Sequence, residues 1–391
     1  MAEKPGARNR RMPTTVITAS DINTCASALA EAARALRTGM LVVFPTETVY
    51  GVAANAASAE AMARLRALKS RPNPAPFTVH LGHRRHAGRF LTTASPVARR
   101  FMRKAWPGPL TLMCEEPSPE KTEAAASCPA GQLGELYHEG RVGLRCPDHP
   151  VAARLLSEAE VPVVASSANR RGHPPPLDVA AALRDLDGLV EYAVDGGPTR
   201  HNTASTVVEV RGHAWKVVRA GALEVRTLER MAVSEVLFVC TGNSCRSPMA
   251  EHMFRHELAA RLGCPVEELA AAGYCVASAG MVAMWDAPAS SGASEEMARR
   301  GLDLGTHRSQ PLTVELIHRA ERIYVMSPEH RAAVLDLVPA AAERVWLLDE
   351  ESPVADPLGG GPEDYRRCAD HIQRALSVRL EEFLDEDRNW Q

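Results

Sequence analysis

The chain has 391 residues, 45% of them apolar and 24% charged, with a formal charge of −3. That length predicts two or three domains and that composition excludes extended disorder, while the charge excludes bulk attraction to nucleic acid or an anionic membrane but leaves local basic grooves open. No apolar run reaches the roughly 18–20 residues of a membrane span, the opening MAEKPGARNRRMPTT lacks a signal peptide's apolar stretch, and nine unpaired-looking cysteines read as reduced thiols of a cytoplasm.

In chain order, residues 1–13 read as a short basic disordered tail, 14–228 as a first α/β domain, 229–233 as a linker and 234–391 as a second α/β domain. The first domain is predicted to carry a helix over 21–38, capped by Asp21 or Asn23 and stopped at Gly39. A strand at 40–44, a helix at 57–69 closed by Pro72 and Pro74, and a strand at 77–81 follow. Next come a helix at 94–104, strands at 142–146, 162–166 and 204–210, and helices at 150–159 and 178–186. Strands and helices alternate without strict βαβ spacing, so the expected fold is a mixed open twisted sheet. The seam VRTLERMAVS has neither Pro nor Gly and predicts closely tethered domains.

In the second domain, strands are expected at 236–240, 274–280, 322–326 and 344–348. Helices are expected at 247–262, 288–301, 313–320, 328–337 and 362–385. This pattern predicts a doubly wound, four-stranded parallel sheet covered on both faces.

Cys240-Thr241-Gly242-Asn243-Ser244-Cys245-Arg246-Ser247 follows the first of those strands and opens a helix. A tight loop at a helix N-terminus makes an anion cradle of backbone N–H groups, and the same field favours a thiolate nucleophile. Arginine six residues after the cysteine can fold back and grip two phosphate oxygens, and Ser247 can donate to the sulfur. Asp356-Pro357, after the last strand, lies where strand C-termini converge; taken alone it reads equally as a turn aspartate or a general acid, and beside the cysteine loop as the general acid. Cys245 could pair with Cys240 on oxidation or be a buried loop thiol.

In the first domain, polar residues end buried strands: Pro45-Thr46-Glu47-Thr48-Val49-Tyr50-Gly51, Ser167-Ala168-Asn169 and Ser205-Thr206. Lys69-Ser70-Arg71 ends a helix, and a lysine and arginine two apart can converge on phosphates, one as a point charge and the other as a fork.

The stretches VLFVCTGNSCRSPMAE, SAGM at 278–281, GLDLGTHRSQPL at 301–312, YVMS at 324–327 and Asp356-Pro357 resemble the low-molecular-weight protein tyrosine phosphatase family. The resemblance implies Cys240 as nucleophile, Arg246 as transition-state clamp, Asp356 as acid and then base, and no cofactor. Ser244 and the run Asp356-Pro357-Leu358-Gly359-Gly360 are more similar to the branch that dephosphorylates phosphoarginine in proteins, with Ser244 as selector; phosphotyrosine remains the alternative.

The stretches TGMLVVFPTETVYGVAANA, KSRPNPAPFTVHL, WPGPLTL, RVGLRCPDHP, SSAN, STVVEV and VVRAGAL resemble the YrdC-like threonylcarbamoyl-AMP synthase family. This resemblance implies synthesis of L-threonylcarbamoyladenylate and pyrophosphate from L-threonine, bicarbonate and ATP with Mg2+, upstream of tRNA threonylcarbamoyladenosine modification. By the same resemblance Lys69, Arg71, Arg141, Ser167, Asn169 and Arg219 bind ATP, and Thr48, His80, Arg145 and Ser205 bind threonine. Ala75 stands where the family often has a cation. Expected partners are phosphorylated proteins and the downstream tRNA threonylcarbamoyl-transfer machinery. A rival reading makes this half a nonenzymatic RNA-binding module.

Overall fold

The structure, a computed structural model, describes residues 13–19, 25–70 and 76–388. The expected disordered tail, the cap residues Asp21 and Asn23, and the rim residues Arg71, Pro72, Pro74 and Ala75 lie outside the described residues. Contacts divide the chain into two compact units, the first ending at Glu229 and the second beginning at Arg230.

The first unit contains eleven strands among the described residues. They are β1 (Thr15–Thr18), β2 (Val42–Phe44), β3 (Gly51–Asn55), β4 (Thr78–His80), β5 (Leu110–Glu115), β6 (Tyr137–His138), β7 (Arg141–Arg145), β8 (Val163–Ser167), β9 (Tyr192–Asp195), β10 (Thr206–Arg211) and β11 (Ala214–Arg219). They form one mixed sheet in the order β1-β9-β2-β3-β8-β4-β7-β5-β10-β11, with β6 paired to β7. Parallel pairs (β4 with β7, β5 with β10) are mixed with antiparallel ones (β3 with β8, β5 with β7), as expected of a mixed open sheet.

One core of this sheet is aliphatic. Leu29, Ala32 and Leu36 of helix Ala26–Arg37 and Val151 and Leu155 of helix Pro150–Glu158 pack on Val42, Phe44, Ala53, Ala165 and Val194. β1, β3, β5, β6, β9 and β11 were not among the expected strands. β3 reads GVAAN and is buried at every position, so it has neither alternation nor bulk to mark it. β5 begins directly behind Trp106-Pro107-Gly108-Pro109, which reads as a loop.

The seam is not an extended linker. Val225–Ala232 is helical, and only Val233 separates it from the next strand. Its lack of Pro and Gly, read as a sign of close tethering, is also what a helix requires.

The second unit is a four-stranded parallel sheet: β12 (Ser234–Cys240), β13 (Tyr274–Gly280), β14 (Arg322–Val325) and β15 (Val345–Leu347), in the order β13-β12-β14-β15. The period of two along β12 assigns its side chains to two cores. Val236, Phe238 and Cys240 face helices Arg246–Leu262 and Pro362–Arg388, while Leu237 and Val239 face helices Val314–Arg319 and Pro328–Leu337. The sheet is therefore covered on both faces, and its strands all end on the same side.

Candidate active sites

In the second unit, β12 delivers Cys240 to the mouth of the loop 241–245, and helix Arg246–Leu262 starts without a side-chain cap. Its first N–H groups are thus left for an anion, where the helix dipole also favours negative charge. The loop closes tightly because Asn243 takes a left-handed conformation (φ 52°). A Cβ on Gly280 would lie 2.7 Å from the Thr241 carbonyl oxygen and 2.8 Å from the Asn243 nitrogen, so glycine lets β13 abut the loop.

Two groups reach the buried sulfur of Cys240. The Asn243 N–H donates to Sγ at 3.3 Å, and Ser247 Oγ lies 3.0 Å away. The Asn243 side-chain amide donates to Ser247 Oγ at 2.9 Å, which leaves the Ser247 hydroxyl hydrogen for the sulfur. Asn243 is held from every side. Its amide also donates to Ser278 Oγ at 2.8 Å, its Oδ1 accepts from Gln310 N at 2.9 Å, and its carbonyl accepts from His307 Nε2 at 2.8 Å. Ser278 in turn donates to Glu251 Oε2 at 2.7 Å, and burial pushes that carboxyl's pKa up.

Arg246 is 6% exposed and carries three bonds. Nη1 donates to the Val354 carbonyl at 3.2 Å, Nη2 donates to Thr241 Oγ1 at 3.1 Å, and Nη2 also pairs with the carboxylate of Asp356. Cys240, Arg246, Ser247 and Asp356 are thus brought to one end of the sheet. Ser244 sits half-buried on the loop, with its carbonyl accepting from Ser290 N at 2.9 Å. The neighbouring Cys245 thiol is buried, 3.1 Å from Ser290 Oγ. Residues missed in the sequence, Asn243, Ser278, His307 and Gln310, all lie within the stretches that carried the resemblance; only their contacts reveal the loop's scaffold. Trp285 was missed too. It is 74% exposed, on the segment whose Met281 and Val282 N–H groups donate to the carbonyls of Cys240 and Thr241.

In the first unit, a cavity of about 580 Å3 opens over the centre of the sheet. His80, Arg141, Arg145, Ser167, Asn169, Ser205 and Arg219 line it, as do Thr46, Tyr50 and Thr111, which the sequence did not single out. Strand register explains the convergence. Thr111 of β5 pairs with Arg145 of β7, and β10, which starts beside Leu110, places Ser205 next to both. The Thr111 and Ser205 hydroxyls lie 2.9 Å apart, and Arg219 Nη2 donates to the Ser205 carbonyl at 2.8 Å and its hydroxyl at 3.1 Å. Burial and the nearby Arg145 lower the Arg219 pKa.

Lys69, at the end of helix Ala59–Lys69, reaches across to β8. Its Nζ donates to the Ser167 carbonyl at 2.9 Å, the Asn169 carbonyl at 2.6 Å and Asn169 Oδ1 at 2.8 Å, and Ser167 Oγ donates to that same Oδ1 at 2.6 Å. Lys69 and the Ser-x-Asn pair are therefore one cluster; Arg71 lies outside the described residues.

Thr48 is fully buried and does not line the cavity. Its hydroxyl accepts from Arg145 Nη2 at 2.5 Å, so it steers the arginine. The same Nη2 donates to Glu47 Oε1 at 3.0 Å, and Glu47 Oε2 accepts from Asp148 N at 3.2 Å. Arg145 Nε is buried with no partner among the described residues. His80 Nδ1 donates to the Thr78 carbonyl at 3.0 Å, and burial together with Arg145 pushes its pKa down to about 3, so the ring stays neutral. Arg141 is held by Glu209 at 2.8 Å; bonds from Lys216, Arg211 and Arg141, partly offset by burial, pull the Glu209 carboxyl down to about 2. No cluster of three or more His, Cys, Asp or Glu among the described residues is placed to hold a metal ion.

A mixed sheet with a polar, cation-lined cavity and a parallel sheet with a cysteine loop at a bare helix start make this a protein of two α/β catalytic-type domains in one chain. A family model described as "Telomere recombination" matches residues 34–221, and one described as "Low molecular weight phosphotyrosine protein phosphatase" matches residues 235–389. The chain is 35% identical over 201 residues to the threonylcarbamoyl-AMP synthase of Bacillus subtilis, covering 51% of this chain and 55% of that protein. It is 36% identical over 211 residues to a Mycobacterium tuberculosis relative provisionally named threonylcarbamoyl-AMP synthase, covering 54% of this chain and 89% of that protein. It is 33% identical over 159 residues to the protein-arginine-phosphatase of Bacillus subtilis, covering 39% of this chain and 99% of that protein. The solved arginine phosphatase YwlE of Geobacillus stearothermophilus is 30% identical, with a TM-score of 0.35, covering 39% of this chain and 94% of that one. The chain belongs to both families: it is a fusion of a YrdC-like domain of the threonylcarbamoyl-AMP synthase family with a low-molecular-weight protein phosphatase domain.

Proposed function

We propose that the chain is a bifunctional enzyme. Its first unit joins L-threonine, bicarbonate and ATP into L-threonylcarbamoyladenylate and pyrophosphate, and its second is a cysteine-dependent protein phosphatase acting on phosphoarginine. The observation that carries the first reading is the convergence of Ser167, Asn169, Arg141, Arg145 and Arg219 on one cavity, with Lys69 bonded to the Ser167 and Asn169 of its wall. The threonine carbamate oxygen attacks the α-phosphorus of ATP, the bond to the β-phosphate oxygen breaks, and pyrophosphate leaves. The cavity's cations oppose the negative charge that grows on the α-phosphate oxygens. Arg145 is the partner for threonine's carboxylate, and His80, kept neutral, adds no competing charge. Mg2+ would arrive on the ATP phosphates and stabilise them there. The adenylate would feed threonylcarbamoyl transfer to tRNA.

In the phosphatase unit, the Cys240 sulfur attacks phosphorus while Asp356 gives its proton to the leaving nitrogen or oxygen. Water then attacks the phosphorus of the phosphocysteine, giving its proton to Asp356; the S–P bond breaks, the Cys240 thiolate is restored and inorganic phosphate leaves. Arg246 and the loop N–H groups hold the equatorial oxygens throughout. A serine hydroxyl at position 244 can accept from a guanidinium, which supports phosphoarginine. One observation favours the phosphotyrosine alternative: exposed Trp285 offers a ring wall beside the loop. The nine cysteines are all free thiols, which supports a reducing cytoplasm, and no described helix is long and apolar enough to cross a membrane.

The test is kcat/KM on phosphoarginine and phosphotyrosine side by side, with pyrophosphate release from ATP, threonine and bicarbonate in the same preparation. A tenfold preference for phosphoarginine, about 1.4 kcal/mol, supports Ser244 as selector. The reverse preference makes Trp285 the selector. No threonine-dependent pyrophosphate release refutes the synthase reading.

A further inference from the structure

Beside the cysteine loop lies a chain of hydrogen bonds that the phosphatase steps above do not use. Helix Pro328–Leu337 begins at Ser327 and turns His330, 3% exposed, toward the loop. His330 Nε2 lies 3.0 Å from Thr241 Oγ1, and Nδ1 lies 2.8 Å from Ser327 Oγ. Thr241 Oγ1 also accepts from Arg246 Nη2 at 3.1 Å.

The direction of each bond follows from its neighbours. Ser327 Oγ can accept from His330 Nδ1–H at 2.8 Å, and in that tautomer Nε2 is left as an acceptor. The Thr241 hydroxyl hydrogen fills that acceptor, and the threonine oxygen's lone pair is turned onto Arg246. The chain then runs Arg246 to Thr241 to His330 to Ser327, one hydrogen per link.

We propose that His330 is a positioning residue for the phosphatase reaction: by accepting from Thr241 it aims the threonine oxygen at Arg246 and fixes the guanidinium in its phosphate-gripping orientation. The proposal rests on the phosphatase reading of the second unit. Arg246, Asp356 and Glu329 are the charged groups that bear on the ring; burial first, then Arg246, pushes its pKa down to about 4, so it remains the neutral acceptor this chain requires. A histidine free to ionise would present Nε2–H to Thr241 and set a second cation beside Arg246. Threonine alone can turn its hydroxyl toward solvent or the Arg246 side, so the ring supplies the one constraint that Thr241 lacks.

The experiment uses the full chain and two variants. His330→Leu removes the acceptor, and His330→Gln places an amide oxygen where Nε2 stands. Turnover of an aryl phosphate and binding of inorganic phosphate by calorimetry are both measured, with thermal melting as a check on folding. The expected result is a tenfold or greater fall in kcat for His330→Leu with KM changed less than threefold, phosphate binding weakened about tenfold, and both restored to within threefold of the parent by His330→Gln. Wild-type values for a folded His330→Leu overturn the proposal. Equal losses in the two variants overturn it as well, since they assign the ring a packing role. If the parent binds phosphate and that binding responds to these variants but no phosphate ester is turned over, the phosphatase reading fails and only the hold of His330 on the phosphate-gripping Arg246 stands; if the parent binds no phosphate, both fall.

Discussion

Glu47→Gln is the most informative single change in the first unit. Glu47 is fully buried, and the Arg145 side chain it pairs with at 3.0 Å is 6% exposed, so neither charge has water to fall back on. The carboxylate uses both oxygens as acceptors, Oε1 from Arg145 and Oε2 from Asp148 N. A glutamine has one oxygen and one NH2, so either orientation aims a donor at a donor. Breaking one partner of a buried ion pair costs about 3–5 kcal/mol. In a domain of this size each kcal/mol moves the melting temperature by roughly 2–4 °C, so a fall of about 6–20 °C in the first unit's transition is expected. Calorimetry of the full chain measures it, and turnover of an aryl phosphate by the second unit serves as the internal control. A loss under about 1 kcal/mol would show that Arg145 relaxes to another partner and that the pair is not a desolvated one.

Three further outcomes follow from geometry already described. Cys240→Ser is expected to abolish phosphatase turnover and leave threonine-dependent pyrophosphate release intact, and Lys69→Ala to do the reverse; a variant that loses both while folded refutes independent sites. Gly280→Ala places a Cβ 2.7 Å from the Thr241 carbonyl and 2.8 Å from the Asn243 nitrogen, both backbone atoms, so the loop must shift. A cost of about 1–3 kcal/mol and a loss of at least tenfold in kcat/KM are expected, and undiminished turnover would show that the loop tolerates displacement. His80 titrates near 6.5 when unfolded and near 3 when folded, so its contribution is complete above pH 6.5 and is lost as the unfolded chain takes up the proton below it. Urea unfolding between pH 7 and 5 should lose up to about 1.4 kcal/mol per pH unit, and His80→Gln should flatten that slope.

The second unit was the more legible half because its first two strands are seven residues each and its elements are cleanly bounded. Tyr274–Gly280 and Pro328–Leu337 have the limits read from the sequence, and the cysteine loop declares itself by cysteine, arginine and a helix start. In the first unit, β3 is a run of small residues buried at every position and so shows no alternation, while β11 buries none of its residues fully. The cavity was legible only in its charged members. Thr46, Tyr50 and Thr111 are ordinary residues whose place in the wall is set by strand register, which sequence spacing does not encode. Thr48 shows the converse: the motif drew attention to it, but burial gives it to Arg145. The Arg246–Thr241–His330 chain was invisible for the same reason, since 89 residues separate its histidine from the loop.

The pairing of Arg246 with Asp356 has a consequence for how the second site meets its ligand. At rest the pocket already contains its own anion, so an arriving phosphate does not fill a vacancy of charge; it evicts a tenant. Affinity for phosphate is then a difference between two anions competing for one guanidinium, and a carboxylate tethered to the chain competes at a fixed effective concentration that dilution cannot lower. Asp356→Asn should therefore grip inorganic phosphate more tightly while turning over substrate more slowly, so that the group which completes the chemistry is also the one that keeps the product from staying.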